Sequence, residues 1–440
     1  MTDTNLAAIV MAGGHGTRMR SATPKHLHPI LGRRMVDWVL AAAVPLKPSR
    51  LVVVTSPASS EAFPGLEVAI QEQALGTGDA VRAALSVLGE ANGDLLVLSG
   101  DTPLLTSGLL AALLDTHRRE GATATVLTFE TDEPRAYGRI VRGKDGRVRS
   151  IVEAVDATPE QLAIRECNSS IYLFNGEQLW PALDRLRPGN AQAELYLTDA
   201  VRDLVDGGQP VAAHVASDPT EAEGVNTRVE LAAAAAGLRD RINRRHMLAG
   251  VSIVDPTSSW IEPEVELEPD CVVHPFTSLR GRTRVAAGAE VGSHTVAVDA
   301  SIGAGATVGP FCYLRPGTIL EARSKAGTFV EIKNSHIGER TKVPHLSYIG
   351  DAEIGEDTNV AASNVTVNLS HQPGRPKGRT RIGRNVRTGV DNAFVAPVTI
   401  GDDAWLAAGT VITEDVPPNA LAGFPPRQVN KEGRGGKRND

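Results

Sequence analysis

The stretch Ile302-Gly-Ala-Gly-Ala-Thr-Val308-Gly-Pro-Phe-Cys-Tyr-Leu314-Arg-Pro-Gly-Thr-Ile-Leu320 carries one aliphatic residue at every sixth position. An amphipathic helix has an apolar period near 3.6 and a half-buried strand a period of 2, so neither produces this beat. It continues in both directions. Upstream stand Leu267, Val273, Leu279, Val285 and Val291, and after a slip of one the beat resumes at Val296 and Ile302. Downstream it passes through Ala326 and Ile332 and returns, after further slips, at Ile382, Thr388, Phe394, Ile400, Leu406 and Ile412. A period of six held this long is the mark of a hexapeptide parallel β-helix. One aliphatic residue per hexad points inward, and Gly or Asn fits the tight corners.

Before this solenoid the grammar differs. Leu6 to Val10, Leu51 to Val54, Leu95 to Leu98, Thr123 to Phe129 and Ile171 to Phe174 read as buried strands. Met35 to Ala43, Gly78 to Leu88 and Leu109 to Arg119 read as helices. Such alternation predicts an α/β domain with a mostly parallel sheet. Thr227-Arg-Val-Glu230 matches a capping box, and Gly250 is placed to end the helix that it opens. The expected organisation is an α/β domain over 1–226, a linking helix over 227–250, a β-helix over 251–426, and a basic, solvated tail over 427–440.

The length and composition agree. At ~150 residues per domain, 440 residues predict about three. Hydrophobic residues make up 42% and charged residues 22%, which excludes a largely disordered chain. The net charge of −7 and the 4% aromatic content argue against a nucleic-acid or membrane surface. Cys167, Cys271 and Cys312 are far apart and form no C-x-x-C, which suits a reducing cytosol, and no signal peptide or spanning segment is read. A narrow β-helix should leave little room for rings, yet residues 250–440 hold nine of the seventeen aromatics.

Two groups of residues carry chemistry. The first strand feeds Gly13-Gly14-His15-Gly16-Thr17-Arg18-Met19, with Pro24-Lys25 just beyond. This is neither a Walker A loop nor a dinucleotide fingerprint. A glycine loop after a strand can present N–H groups to phosphates, although a ligand-free turn has the same composition. Arg18 and Lys25 favour the phosphate. Asp101, after Leu95-Leu-Val-Leu98, sits where α/β sheets place ligands and could hold Mg²⁺, or could simply make an Asx turn. Gln71 and Leu75-Gly76-Thr77-Gly78 offer an amide to a base edge, or form a strand-to-helix turn.

The second group is Arg315-Pro-Gly317, Phe329-Val-Glu331-Ile-Lys333 and His345-Leu-Ser-Tyr348-Ile-Gly350-Asp351. Arg315 and Lys333 lie three hexads apart, one coil of a three-sided helix, so they stack on one side. Two stacked cations suit a sugar phosphate. His345 lies twelve residues after Lys333 and falls on a different face by the same count.

Taken together, the loop motifs, Tyr137-Gly138-Arg139, Glu153, Asn168 and Glu223-Gly224-Val225-Asn226 resemble the sugar-1-phosphate nucleotidylyltransferases. With the hexapeptide half, from about residue 6 to 433, the chain resembles the bacterial bifunctional N-acetylglucosamine-1-phosphate uridylyltransferase/glucosamine-1-phosphate N-acetyltransferase family. The resemblance implies an α/β Rossmann-like nucleotidyltransferase domain followed by a left-handed parallel β-helix. It implies UTP at Gly14, Gly16, Arg18, Lys25, Gln71, Gly76 and Thr77, and Mg²⁺, one ion or more per site, at Asp101 and Asn226. N-acetylglucosamine-1-phosphate would meet Gly138, Glu153, Asn168 and Asn226.

In the second half it implies His345 as general base. Glucosamine-1-phosphate would lie on Arg315, Lys333, Tyr348 and Asn359, and acetyl-CoA on Asn368, Ala408 and Arg427. The family's small-molecule substrates, homotrimer and cytoplasmic setting come with it. The chain departs from the family pattern at Leu369, Val390 and Pro425 and is longer between Asn368 and Lys377. Two other readings stand at this point. One is a single-activity nucleotidylyltransferase whose β-helix only oligomerises or regulates; the other is a non-catalytic scaffold.

Overall fold

A computed structural model describes residues 6–14, 16–89, 93–369 and 377–423. The chain divides into two compact units between Gly237 and Leu238. In the first, eleven strands run in chain order as β1 (Leu6–Ala12), β2 (Pro29–Ile30), β3 (Arg33–Arg34), β4 (Arg50–Thr55), β5 (Glu67–Ile70), β6 (Asp94–Ser99), β7 (Ala124–Glu130), β8 (Arg139–Arg142), β9 (Val148–Val152), β10 (Glu166–Asn175) and β11 (Val211–Val215). The helices are α1 (Met35–Ala43), α2 (Thr77–Leu88), α3 (Ser107–Arg119), α4 (Pro159–Leu162), α5 (Gly176–Asp184) and α6 (Leu197–Asp206), while α7 (Arg228–Leu248) runs through the division between the units.

The main sheet has the order β11-β7-β10-β6-β1-β4-β5. It is parallel except at β10, which runs antiparallel to both β6 and β7. The aliphatic runs read from the sequence are its central strands. They are continuous rather than alternating because helices cover both faces, giving two separate cores. The β8–β9 hairpin joins the edge of β10 through Arg139 and Cys167. Strands β5, β8, β9 and β11 and helices α5 and α6 were not foreseen, since they are short or more polar than the central runs.

The capping box exists. The Thr227 hydroxyl accepts from Glu230 N at 3.2 Å, and the Glu230 carboxylate accepts from Thr227 N at 2.9 Å. Gly250, with φ of 96°, sits two residues past the end of α7, where Val251 N bonds back to His246 O.

The second unit is a left-handed parallel β-helix with three faces of short stacked strands. The first face begins at Ser252–Ile253 and includes Lys342–His345, the second runs from Trp260–Ile261 to Val411–Ile412, and the third from Glu266–Leu267 to Val398–Ile400. The hexad aliphatics point inward as expected, with Val273, Leu279, Leu314 and Ile332 fully buried. One position needs correction. Ala297, not Val296, is the buried residue of its strand, and its partners are Leu279 and Leu314. The one-residue slip therefore falls at the following corner, between Ala297 and Ile302. Small residues are not the only corner formers. Phe276, His294, Phe311, Phe329 and Leu346 all hold φ between 47° and 60° at successive turns from the first face to the second. Such a backbone costs an L-residue about 1–2 kcal/mol, and here four of the side chains stack on one another.

No helix among the described residues is long and apolar enough to cross a membrane.

Candidate active sites

In the first unit the site forms at the carboxyl ends of β1 and β6, where parallel sheets open to ligands. The chain leaves β1 through Gly13 and Gly14 and turns at Gly16, whose φ is 59°. A methyl group on Gly16 would lie 2.4 Å from Lys25 Cβ, so only glycine lets Lys25 pack over this loop. Space around Gly14 is open. Lys25 reaches across to Asp101, just past β6, in an ion pair, and donates to Asn226 Oδ1 at 3.0 Å. Arg18 donates to the same Asn226 oxygen at 2.9 Å. Ser99 Oγ donates to the other Asp101 oxygen at 2.6 Å. Burial pushes the Asp101 carboxyl up, but the Lys25 ammonium and the Ser99 hydroxyl outweigh it and hold the group below its usual range. Arg18, Lys25, Asp101 and Asn226, drawn from four separate places in the sequence, thus form one cluster.

The loop carrying Asn226 is fixed by Tyr137. Its hydroxyl accepts from Gly224 N at 3.0 Å and donates to Gly224 O at 3.2 Å, while Val225 N bonds Asp101 O at 2.8 Å. Tyr137 had been noted only as part of a motif, and nothing in the sequence marked it as the clamp.

A cleft of about 500 Å³ beside this cluster is lined by Arg18, Thr77, Glu153, Tyr172, Tyr196 and Thr198, among others. Glu153 is raised by burial and by Asp156, with Thr198 opposing through a hydrogen bond. A Cβ on Gly138 would touch the Glu153 carboxylate at 3.4 Å, so the two expected sugar contacts are neighbours. Asn168 is buried, and its side chain is committed to Tyr172 Oη at 2.8 Å and Ser170 N at 3.1 Å; it holds the irregularity in β10. Gln71 and Thr77 are likewise engaged locally. The Gln71 amide donates to Gly76 O at 3.1 Å and Asp79 at 3.0 Å, and Thr77 Oγ1 accepts from Leu197 N at 3.0 Å. Gly76, at φ 116°, lies against the Leu195 backbone, where a Cβ would sit 2.6 Å from the carbonyl oxygen.

Asp101 and Asn226 fit a hard divalent ion. A carboxylate and an amide carbonyl oxygen already converge on a single cationic atom, Lys25 Nζ. Mg²⁺ commonly takes one or two such protein oxygens and completes its shell with water and substrate phosphates.

In the β-helix, Arg315 and Lys333 do stack. The register pairs Tyr313 with Glu331 and Leu314 with Ile332, so the two cations are neighbours on the second face. Arg315 also pairs with Glu331 at 2.9 Å. Lys377, resuming after residues 370–376, places its ammonium beside Lys333 and lowers the Lys333 pKa. Three cations therefore gather on this surface. Tyr348 joins it, being paired with Glu331.

Asp351 accepts from Asn334 Nδ2 at 2.6 Å and from Asn368 Nδ2 at 2.5 Å. This role for Asp351 went unread, although Asn334, Asp351 and Asn368 lie 17 residues apart, one coil each.

His345 ends a strand of the first face and is exposed, as the hexad count predicts. Lys342, Asn359, Arg387 and Trp405 form a ladder on that face. Three residues on, His345, Ala362, Val390 and Ala408 fall in one row, marked by the bonds Ser363 N–His345 O, Asp391 N–Ala362 O and Gly409 N–Val390 O. Within one chain the structure therefore keeps His345, Asn359 and Ala408 on the first face and Arg315, Lys333, Tyr348 and Asn368 on or beside the second. Of the departures from the family pattern, Leu369 and Val390 are exposed. Pro425 and Arg427 lie outside the described residues, as does the basic tail.

Comparison with known proteins shows the family. Residues 8–217 match the model of the MobA-like NTP transferase domain. The chain is 49% identical to the bifunctional protein GlmU of Streptomyces coelicolor, over 97% of this chain and 93% of that one. It is 48% identical to the protein of the same name from Mycobacterium tuberculosis, over 94% and 89%, and 45% identical to that from Corynebacterium aurimucosum, over 98% and 93%.

Proposed function

Because the chain belongs to the bifunctional GlmU family, we propose that each of its two units houses one of two successive transfers. The β-helix moves an acetyl group from acetyl-CoA to glucosamine-1-phosphate. The α/β unit moves a uridylyl group from UTP to N-acetylglucosamine-1-phosphate and releases pyrophosphate. The product, UDP-N-acetylglucosamine, serves cell-wall and peptidoglycan synthesis.

The observation that carries the first site is the convergence of Arg18, Lys25, Asp101 and Asn226 beside the cleft. Phosphoryl transfer depends on alignment and charge neutralisation more than on covalent protein chemistry. Arg18 and Lys25 offset the charge of the UTP phosphates, and the backbone at Gly14 and Gly16 faces them. Asp101 and Asn226 would hold Mg²⁺, whose charge, when bound, would add to that neutralisation. Gln71, Gly76 and Thr77 shape the base pocket, and Thr77 lines the cleft itself. Glu153, with Gly138 against it, receives the sugar, and Asn168 shapes that wall from behind. A phosphate oxygen of the sugar phosphate attacks the α-phosphorus in line.

At the second site Arg315, Lys333 and Tyr348 hold the sugar phosphate, with Asn359 on the adjoining face. His345 takes a proton from the glucosamine amine as it attacks the thioester, work suited to an imidazole near neutral pH. The row from His345 to Ala408, with Asn368 across the corner, receives acetyl-CoA, and Arg427 is assigned to the same ligand from the sequence alone. The placement of His345 and the phosphate-holding cations on different faces of one chain supports a working homotrimer, the form the family resemblance implies, in which neighbouring copies complete each site. The domains follow the sequence division at 226, 250 and 426, and the enzyme is cytoplasmic, with small-molecule partners only.

One incubation tests the whole reading. The protein is given glucosamine-1-phosphate, acetyl-CoA, UTP and Mg²⁺, and the products are identified by mass. UDP-N-acetylglucosamine is expected. If that nucleotide sugar forms only when N-acetylglucosamine-1-phosphate is supplied, the acetyltransferase assignment fails and the first site stands.

A further inference from the structure

Lys25 occupies an unusual position for a phosphate-binding residue. Its ammonium bridges Asp101 and Asn226, the two oxygens that fit a divalent ion. The geometry is held from several sides. Ser99 occupies the far oxygen of Asp101 and so presents the near one to Lys25. Gly16 lets the Lys25 stem lie against the loop. The Tyr137 clamp on Gly224 and the bond from Val225 N to Asp101 O fix the segment that delivers Asn226. Arg18 also points its guanidinium at the Asn226 oxygen.

We propose that Lys25 is a competing internal cation for the divalent-metal site: its ammonium and the metal contend for the same oxygens of Asp101 and Asn226, and nucleotide phosphates draw the ammonium away. This rests on the reading of Asp101 and Asn226 as metal ligands. Its consequence is a coupling. Metal alone must displace a bonded ammonium, whereas metal arriving with nucleotide meets freed oxygens. By linkage, metal and nucleotide then strengthen each other's binding by the same factor. A lysine that attracted phosphate from a position clear of Asp101 and Asn226 would weaken metal bound without nucleotide far less, by through-space repulsion alone.

The test is direct titration of the full-length protein with Mn²⁺ as the probe, followed by electron paramagnetic resonance of the free ion, with no nucleotide present. Lys25→Met should bind Mn²⁺ roughly tenfold more tightly than the wild type while binding metal-free UTP roughly tenfold more weakly. These opposite signs in one variant are the expected result. Lys25→Ala provides a second side chain, and the near-ultraviolet circular dichroism of both should match the wild type. Adding Asp101→Asn to either variant should remove the gain. If both lysine variants bind Mn²⁺ no more tightly than the wild type while Asp101→Asn abolishes binding, the competition is wrong and the metal site stands. If Asp101→Asn leaves Mn²⁺ binding unchanged in every background, the metal site and the competition fall together.

Discussion

In the α/β unit, residues far apart in sequence meet at one point, because every strand of a parallel sheet ends its chemistry on the same edge. Lys25 finds Asp101 and Asn226 across 76 and 201 positions. In the β-helix the reverse holds. His345 and Lys333 are twelve residues apart, yet the three-sided coil turns them onto different faces. The α/β sheet gathers distant residues, while the solenoid spreads near ones into parallel rows. On the proposed reading, a site on the solenoid is therefore completed by a second surface. The α/β site assembles its cations and acidic ligand within one unit.

The strongest test of this contrast is reciprocal ablation. His345→Ala should lower CoA release by about a thousandfold, within the range for loss of a general base, and leave pyrophosphate release intact. Asp101→Ala should do the opposite, and loss of both activities in either variant would mean that the units are not separable. Next, Gly16→Ala forces a methyl group into the Lys25 stem. UTP-dependent pyrophosphate release should fall about a hundredfold, as small displacements at a phosphoryl-transfer site do, with CoA release unchanged.

A smaller effect probes the second surface. His345→Ala and Lys333→Ala, each inactive alone in acetyl transfer, are unfolded together and refolded at equal ratio. Random trimers with shared sites should recover about a quarter of wild-type activity, because one ordered pair in four supplies both intact residues. No recovery would place each site within a single chain.

The smallest expected effect concerns pH. Burial raises the Asp351 carboxyl, but the Asn334 and Asn368 amides and the Lys333 and Lys377 charges bring it below its usual range. Its folded pKa is thus depressed, so its contribution to stability is present above about 3.9, the ordinary Asp value, and is lost as pH falls through the depressed one. Asp351→Asn should flatten the acid limb of the melting temperature by roughly a degree or two. An unchanged limb would assign acid sensitivity to other carboxylates.

The fold was legible where one physical constraint repeats. The hexad beat survives because each coil must fill the same narrow interior, and the α/β strands show as aliphatic runs because helices cover both faces. The slip was placed one corner early, before Val296, because Val296 offers a larger aliphatic side chain than Ala297, which actually points inward. The cations and acids of the first site were legible by type. Their convergence was not, since it depends on the Tyr137 hydroxyl and on loop paths with no periodicity. Asp351 could have been found from its one-coil spacing to Asn334 and Asn368.

The aromatic count also resolves. Of the described rings in the β-helix, only Phe394 is buried. Phe276, Phe311 and Phe329 stand outside at the corner, stacked through His294 at centroid spacings of 4.8, 4.7 and 5.3 Å. The interior admits one described ring, Phe394, and the solenoid keeps Phe276, Phe311 and Phe329 outside because a coil repeat puts their side chains at stacking distance.

The row from His345 through Ala362 and Val390 to Ala408 works as a ruler. Each rung is one strand spacing, about 4.8 Å, so its three intervals measure about 14 Å. On the proposed assignment of Ala408 to the carrier and His345 to the reacting amine, a thioester donor would need a tether of that reach. That assignment predicts that a short acetyl thioester, meeting only one end of the row, is a far poorer donor than acetyl-CoA, with the length of the carrier counting as much as its headgroup.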